Sequence, residues 1–244
     1  MFNNTKRVFM KLFGIGGLGT GKLGNQVFAV RSGEQIVRQY NPVVSNPQTA
    51  KQVETRAKLK LASQLAAVVA PAIAIPADGL KTKRNEFISR NYPSLTYQND
   101  EAQMAMDQLS LTKGVAYLPS ITATRDNSTE EINVQLGDVV NDIYDYVVYC
   151  VVEKETDGSL MLVQQEQVTI TQSTGLAQAT LDAWEGTCYI YAYGIRANSD
   201  ESRAKYNELL SEGAADVVKL ATSRDATLSN VTFSRTRYAK VTAI

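Results

Sequence analysis

Glycines are the first residues in this chain whose spacing suggests chemistry. In GIGGLGTGKLG, residues 14–24, Gly14, Gly16 and Gly19 match a dinucleotide-binding turn, and Gly16 with Gly21-Lys22 approaches a phosphate-binding loop. Both devices aim backbone N–H groups and a helix N-terminus at phosphate, so both need a strand before the glycines and a helix after them. Here the glycines lead into a hairpin pattern. Leu23 stands where a Ser or Thr hydroxyl would hold magnesium, and Glu34 comes too early, inside a turn, to bind a ribose. The stretch reads instead as a flexible joint.

Carboxylates pair at Glu130-Glu131, and Asp138, Asp142 and Asp145 are spaced along GDVVNDIYD like ligands of a hard cation. The segment lacks the ordered alternation and terminal glutamate of a calcium loop, so a solvated loop is expected. Histidine is absent, which removes the side chain most used as a general base and metal ligand. Cys150 and Cys188 cannot build a structural zinc site by themselves. Both sit in apolar, strand-like runs and read as buried free thiols, with one disulfide as the alternative. Tyr189, Tyr191 and Tyr193 alternate along a strand and share a face. Packing between layers is their expected use, and a sugar-binding platform is the alternative. Trp184 reads as an anchor of the same core. No acid, base and nucleophile converge, so neither an enzyme nor a cofactor or metal is expected.

Charge points to a different kind of site. Residues 1–98 hold 14 Lys and Arg against 4 Asp and Glu, while residues 99–244 hold 11 against 21. Such asymmetry belongs to interaction surfaces more often than to catalysis. The candidate partner-binding residues are Arg31 and Arg38 on the hairpin and Lys51, Arg56, Lys58 and Lys60 on the helix that follows. An acidic protein surface suits them better than DNA, since neither aromatic platforms nor a groove-reading motif accompanies them. Nonspecific DNA contact is the lesser expectation. No apolar run reaches the ~20 residues of a membrane span. The apolar stretch Val8–Leu18 is broken by Lys11 and glycines and is no signal peptide.

The elements that must position these residues fall into two parts. Residues 1–24 form an extended Gly-rich arm. Residues 25–98 form a basic hairpin-helix module: strands 25–31 and 34–40 about Ser32-Gly33, a helix opened by Asn46-Pro47 and ended by Pro71 and Pro76, and a second helix over Leu80–Arg90. From residue 108 to 244 runs rich in Val, Ile, Thr and Tyr recur: Ala116–Thr124, Glu131–Leu136, Tyr144–Glu153, Leu160–Thr171, Ala177–Leu181, Cys188–Ala197 and Val231–Ala243. Short strands at this spacing predict an antiparallel, immunoglobulin-like sandwich, with a helical insertion near 200–212. The fold class is therefore α+β.

Three stretches together resemble an uncharacterised family from Bacteroidetes genomes and their phages. They are GKLGNQVFAVRSGEQIVRQYNPVVSNPQTAKQVETRAKLKLAS, LSLTKGVAYLP and WEGTCYIYAYGIRANSDESRAKY, within residues 14–210. The resemblance implies a virion structural protein, with crAss-like phages as the nearest setting, and it supplies no catalytic residues. Together with the charge split it implies head or neck assembly by self-association, or by contact with capsid, portal or ring proteins, in a particle assembled in the host cytoplasm. The alternatives are a capsid-decorating protein and a carbohydrate-binding module.

Overall fold

A computed structural model describes residues 20–31, 34–41, 48–76, 81–126, 129, 131–138, 143–154, 160–169, 178–182, 186–213 and 216–242. The chain divides into two compact units, residues 1–49 and 50–244.

The smaller unit is a three-stranded antiparallel sheet of β1 (Gly21–Leu23), β2 (Gln26–Arg31) and β3 (Glu34–Gln39). The hairpin is paired from Gln26↔Gln39 to Arg31↔Glu34, and its Ser32-Gly33 turn lies outside the described residues. One expectation is corrected. Gly21–Leu23, assigned to the arm, is a strand, because Gly24 at φ 58° turns the chain back onto β2. Gly14 to Gly19 lie outside the described residues.

The larger unit opens with α1 (Ala50–Val68), followed by α2 (Lys83–Asn91) and the hairpin β4 (Leu95–Gln98) and β5 (Glu101–Met104). Pro71 ends the α-helical run, and Ala70–Ala72 continue as one 3₁₀ turn. Thr82 caps α2 by accepting from the Asn85 N–H at 3.2 Å. The β4–β5 turn places Asn99 and Asp100 at φ 51° and 62°, the geometry of a tight hairpin. This hairpin was not foreseen.

Two further sheets follow. One has the order β10-β7-β6, from β6 (Ile121–Asp126), β7 (Glu131–Leu136) and β10 (Gln178–Asp182). The other has the order β12-β11-β8-β9, with β13 also paired to β11. Its strands are β8 (Tyr146–Lys154), β9 (Leu160–Thr169), β11 (Thr187–Ala197), β12 (Val231–Phe233) and β13 (Arg237–Val241). Between β11 and β12 lie α3 (Asp200–Ser211), which is the expected insertion, and α4 (Val217–Ala221). The run expected as a single strand from 231 is split in two, and the one expected from 116 pairs as β6 only from Ile121.

Strand β8 explains how the layers stack. Every residue from Tyr146 to Glu153 is buried, without alternation, so both faces of its sheet are covered. On one face Val147, Tyr149, Val151, Cys188 and Ile190 meet Ile132, Val134, Leu136 and Leu181 of the three-stranded sheet. On the other, Tyr146, Val148, Cys150, Tyr191 and Tyr193 meet Leu65, Val69, Ile73, Phe87, Val218 and their neighbours. The expected boundary between a module at 25–98 and a β-domain from 108 is thus misplaced. The charge split at 98 and the onset of strand-like runs from 108 set that boundary, but the helices of 50–98 are a structural layer of the β-rich unit. The molecule is α+β, with mostly antiparallel sheets.

Candidate interaction surfaces

Residues that looked like chemistry resolve into structural roles. Cys150 faces the helices and Cys188 the second sheet. In register Cys150 opposes Tyr191 while Cys188 opposes Glu153, so the two thiols point to opposite sides of one sheet and cannot pair. Burial pushes the Cys150 thiol far up, away from the reactive thiolate.

Tyr191 and Tyr193 are fully buried, and Tyr189 packs at 6.2 Å against the Tyr238 ring. The Tyr193 hydroxyl donates to Ala72 O at 2.8 Å, and the Tyr191 hydroxyl donates to Met106 O at 2.9 Å. These phenols fasten the helical layer to the sheet, so the sugar-platform reading loses its residues. Tyr193→Phe leaves a buried carbonyl unsatisfied and should cost about 1–3 kcal/mol in urea unfolding. Unchanged stability would mean that water reaches Ala72 O.

Asp145 is no cation ligand. Its carboxylate accepts from Ala197 N at 2.7 Å and from Arg203 Nε at 2.9 Å, and that pairing raises the Arg203 pKa. Asp138 is exposed, whereas Asp142, Glu130 and Trp184 lie outside the described residues. Among the described residues no group of three or more Cys, Asp and Glu is placed to hold a metal.

The basic candidates are spread over both units. Arg38 is exposed on β3 opposite Val27, and Arg31 pairs with Glu34 in register. On α1 Lys51, Arg56 and Lys60 are exposed, while Lys58 holds Glu54 in an ion pair at 2.6 Å. Helical spacing separates them further, with Lys51 and Lys58 on one side and Arg56 and Lys60 on another. The basic residues of α1 therefore do not share one face. Exposed Val53 and Leu59 stand between them in sequence.

The small sheet offers a clearer surface. Register puts Leu23, Gln26, Phe28, Val30, Val37 and Gln39 on one face, without charge. The opposite face carries Lys22, Val27, Ala29, Ile36 and Arg38, and Lys22 Nζ sits 3.3 Å from the Tyr40 ring centroid. None of the residues whose burial is described between 20 and 41 is buried, and Leu23, Ile36 and Val37 are 61%, 42% and 50% exposed. A sheet this size without a buried side chain gains its stability from what it packs on. The unbroken apolar run VFAV in β2 and the adjacent Ile36-Val37 pair in β3 carried this signal in the sequence. Comparison with protein families, curated proteins and solved structures finds no match to the chain.

Proposed function

We propose that the chain is a non-enzymatic assembly protein. Its N-terminal sheet docks on the acidic larger unit of a neighbouring copy, and the copies join head to tail. The supporting observation is the small sheet itself, which presents apolar side chains on both faces with none buried. Charge favours a second copy as the occupant. Residues 1–49 carry six Lys and Arg against one acidic residue, and residues 50–244 carry nineteen against twenty-four. A heterologous contact of this kind closes into a ring when its rotation permits.

The larger unit fits an immunoglobulin-like sandwich in this reading. Strands β6, β7 and β10 share one sheet, and β8, β11 and β13 the other, as A, B, E and C, F, G do in constant-type domains. Strand β9 lies beside β8, where those domains put the fourth strand on the other sheet. The helical layer over β8 and β11 is an addition to that plan. The resemblance of three sequence stretches to the phage-associated family supports a virion as the setting, with neck, portal or capsid proteins as further partners. An outward-facing decoration protein is the second form of the same proposal.

Sedimentation of the full chain tests it. At low salt the protein should associate with rising concentration, and high salt should shift it towards monomer. Val37→Lys, on the uncharged face, should abolish association while leaving thermal unfolding of the larger unit unchanged. Arg38→Glu, on the other face, should weaken mainly the salt-sensitive part. A wild-type chain that stays monomeric at every concentration and salt overturns the proposal, as does association untouched by both substitutions.

A further inference from the structure

The outer face of the β10-β7-β6 sheet is unlike the other surfaces described. It forms a depression of ≈ 450 Å³ whose polar lining is Thr122, Thr124, Asn133, Gln135, Gln178 and Thr180. These residues lie in two rows across all three strands. Gln178, Gln135 and Thr122 are paired in register, and Thr180, Asn133 and Thr124 form the next row. Strand and pleat spacing make this a grid of about 5 by 7 Å, on the scale of a sugar ring and its neighbour. The opposite side of the same strands is the Ile132, Val134, Leu136 core, which fixes the backbone beneath the grid.

We propose that this face binds a neutral polyhydroxyl ligand, a glycan of uncharged sugars. The side chains are already held. Gln178 Nε2 donates to Gln135 Oε1 at 2.9 Å, and Thr180 Oγ1 donates to Asn133 Oδ1 at 3.2 Å. Each carboxamide thereby uses one end on its neighbour and keeps the other for a ligand: donors at Gln135 Nε2 and Asn133 Nδ2, an acceptor at Gln178 Oε1. The Thr180 and Thr122 hydroxyls donate to Asn133 Oδ1 and Gln135 O, so toward a ligand they accept, while the Thr124 hydroxyl can donate or accept. A sugar hydroxyl both donates and accepts, so a mixed, fixed array of donors and acceptors is its complement.

Charge excludes the competing ligand classes. Among the described residues no cationic side chain lines the depression, and the next row, Asp126 opposite Glu131, is acidic. Phosphate, nucleic acid and acidic sugars are therefore disfavoured. Val134 and Ala179 complete the lining through their backbone, with their side chains turned to the core, so the described residues offer no apolar surface to a hydrophobic ligand. This site is separate from the buried Tyr191 and Tyr193, and it does not depend on the assembly proposal.

The test is binding of the full chain to immobilised gluco-, galacto-, manno- and xylo-oligosaccharides, with uronic acid oligomers as the charged counterpart. At least one neutral series should bind, and Asn133→Ala with Gln135→Ala should weaken it about tenfold or more. Thr122→Val with Thr180→Val keeps strand propensity and removes two hydroxyls, so it should also weaken binding with the thermal midpoint kept. Val37→Lys should leave binding unchanged. Silence on every neutral series overturns the proposal. So does binding confined to uronic acids, binding that survives both double variants, or variants that alter only self-association.

Discussion

Alkali should unfold this protein cooperatively near pH 11, an estimate that follows from where its phenols and its inner thiol are stored. Burial raises the pKa of Tyr149, Tyr191, Tyr193 and Cys150, and Tyr146 is pushed up to about 12. In the unfolded chain a thiol ionises near pH 8.5 and a phenol near pH 10. Above those values the unfolded state releases protons that the folded state keeps. The stability these groups contribute is therefore complete below the unfolded values and falls as pH rises past them. Each group that cannot ionise steepens the loss by about 1.4 kcal/mol per pH unit. Summed over one thiol and several phenols, the loss by about pH 11 is comparable with the 5–15 kcal/mol that ordinarily holds a domain together. Phenolate absorbance and far-ultraviolet ellipticity, followed from about pH 9 to 12, should therefore change in one shared step. Full phenolate absorbance with ellipticity intact would show that water reaches these rings.

The same burial shows what could be read from the residues alone. Alternation of Tyr189, Tyr191 and Tyr193 put them on one face and made packing the expected use, and the structure agrees. The apolar surroundings of Cys150 and Cys188 signalled free thiols, and the register adds that they face opposite ways. Hairpin 25–40 and strands β7, β8, β9 and β11 follow turn residues and β-branched runs closely. The misplaced boundary has a physical cause. Charge reports the solvated side of an element, whereas a domain is defined by its apolar side. Leu61, Leu65 and Val68 repeat at helical spacing, which marks an amphipathic helix but does not name its partner. The unalternating run YVVYCVVE held the missing half, since a strand buried on both faces demands a second covering layer. The β4–β5 hairpin escaped because Thr96, Tyr97, Ala102 and Gln103 alternate weakly; the Asn99-Asp100 pair was its one clear signal. The neutral grid was invisible for another reason. ITATRD, EINVQL and QATLD each look like ordinary half-exposed strands, and only their register lines up the Thr, Asn and Gln side chains.

Glycine placement gives the second large effect. Gly114→Ala should destabilise the larger unit by about 3 kcal/mol or more, although it adds only one methyl group. A Cβ there would lie 1.9 Å from Phe233 O and 2.6 Å from Ser234 O. Both obstacles are backbone, so no rotamer change relieves the clash. The backbone they belong to is also held in place. Ser234 N donates to Gly194 O at 2.9 Å, Gly194 N donates to the Ser234 hydroxyl at 2.7 Å, and Thr112 donates to Ser234 O at 2.6 Å. Arg235 N reaches Ala116 O at 3.0 Å on the far side of the crossing. Yielding to the methyl would pull on all four bonds at the junction between the 112–118 segment and β11. Gly213→Ala is the informative contrast. That glycine sits at φ 69° past the end of α3 with nothing within 4 Å of the added carbon, so only the left-handed backbone is penalised, by about 1 kcal/mol. Urea unfolding of the two variants should rank them with Gly114→Ala far below Gly213→Ala. The reverse order would show that the chain crossing at Ser234 is looser than its hydrogen bonds imply.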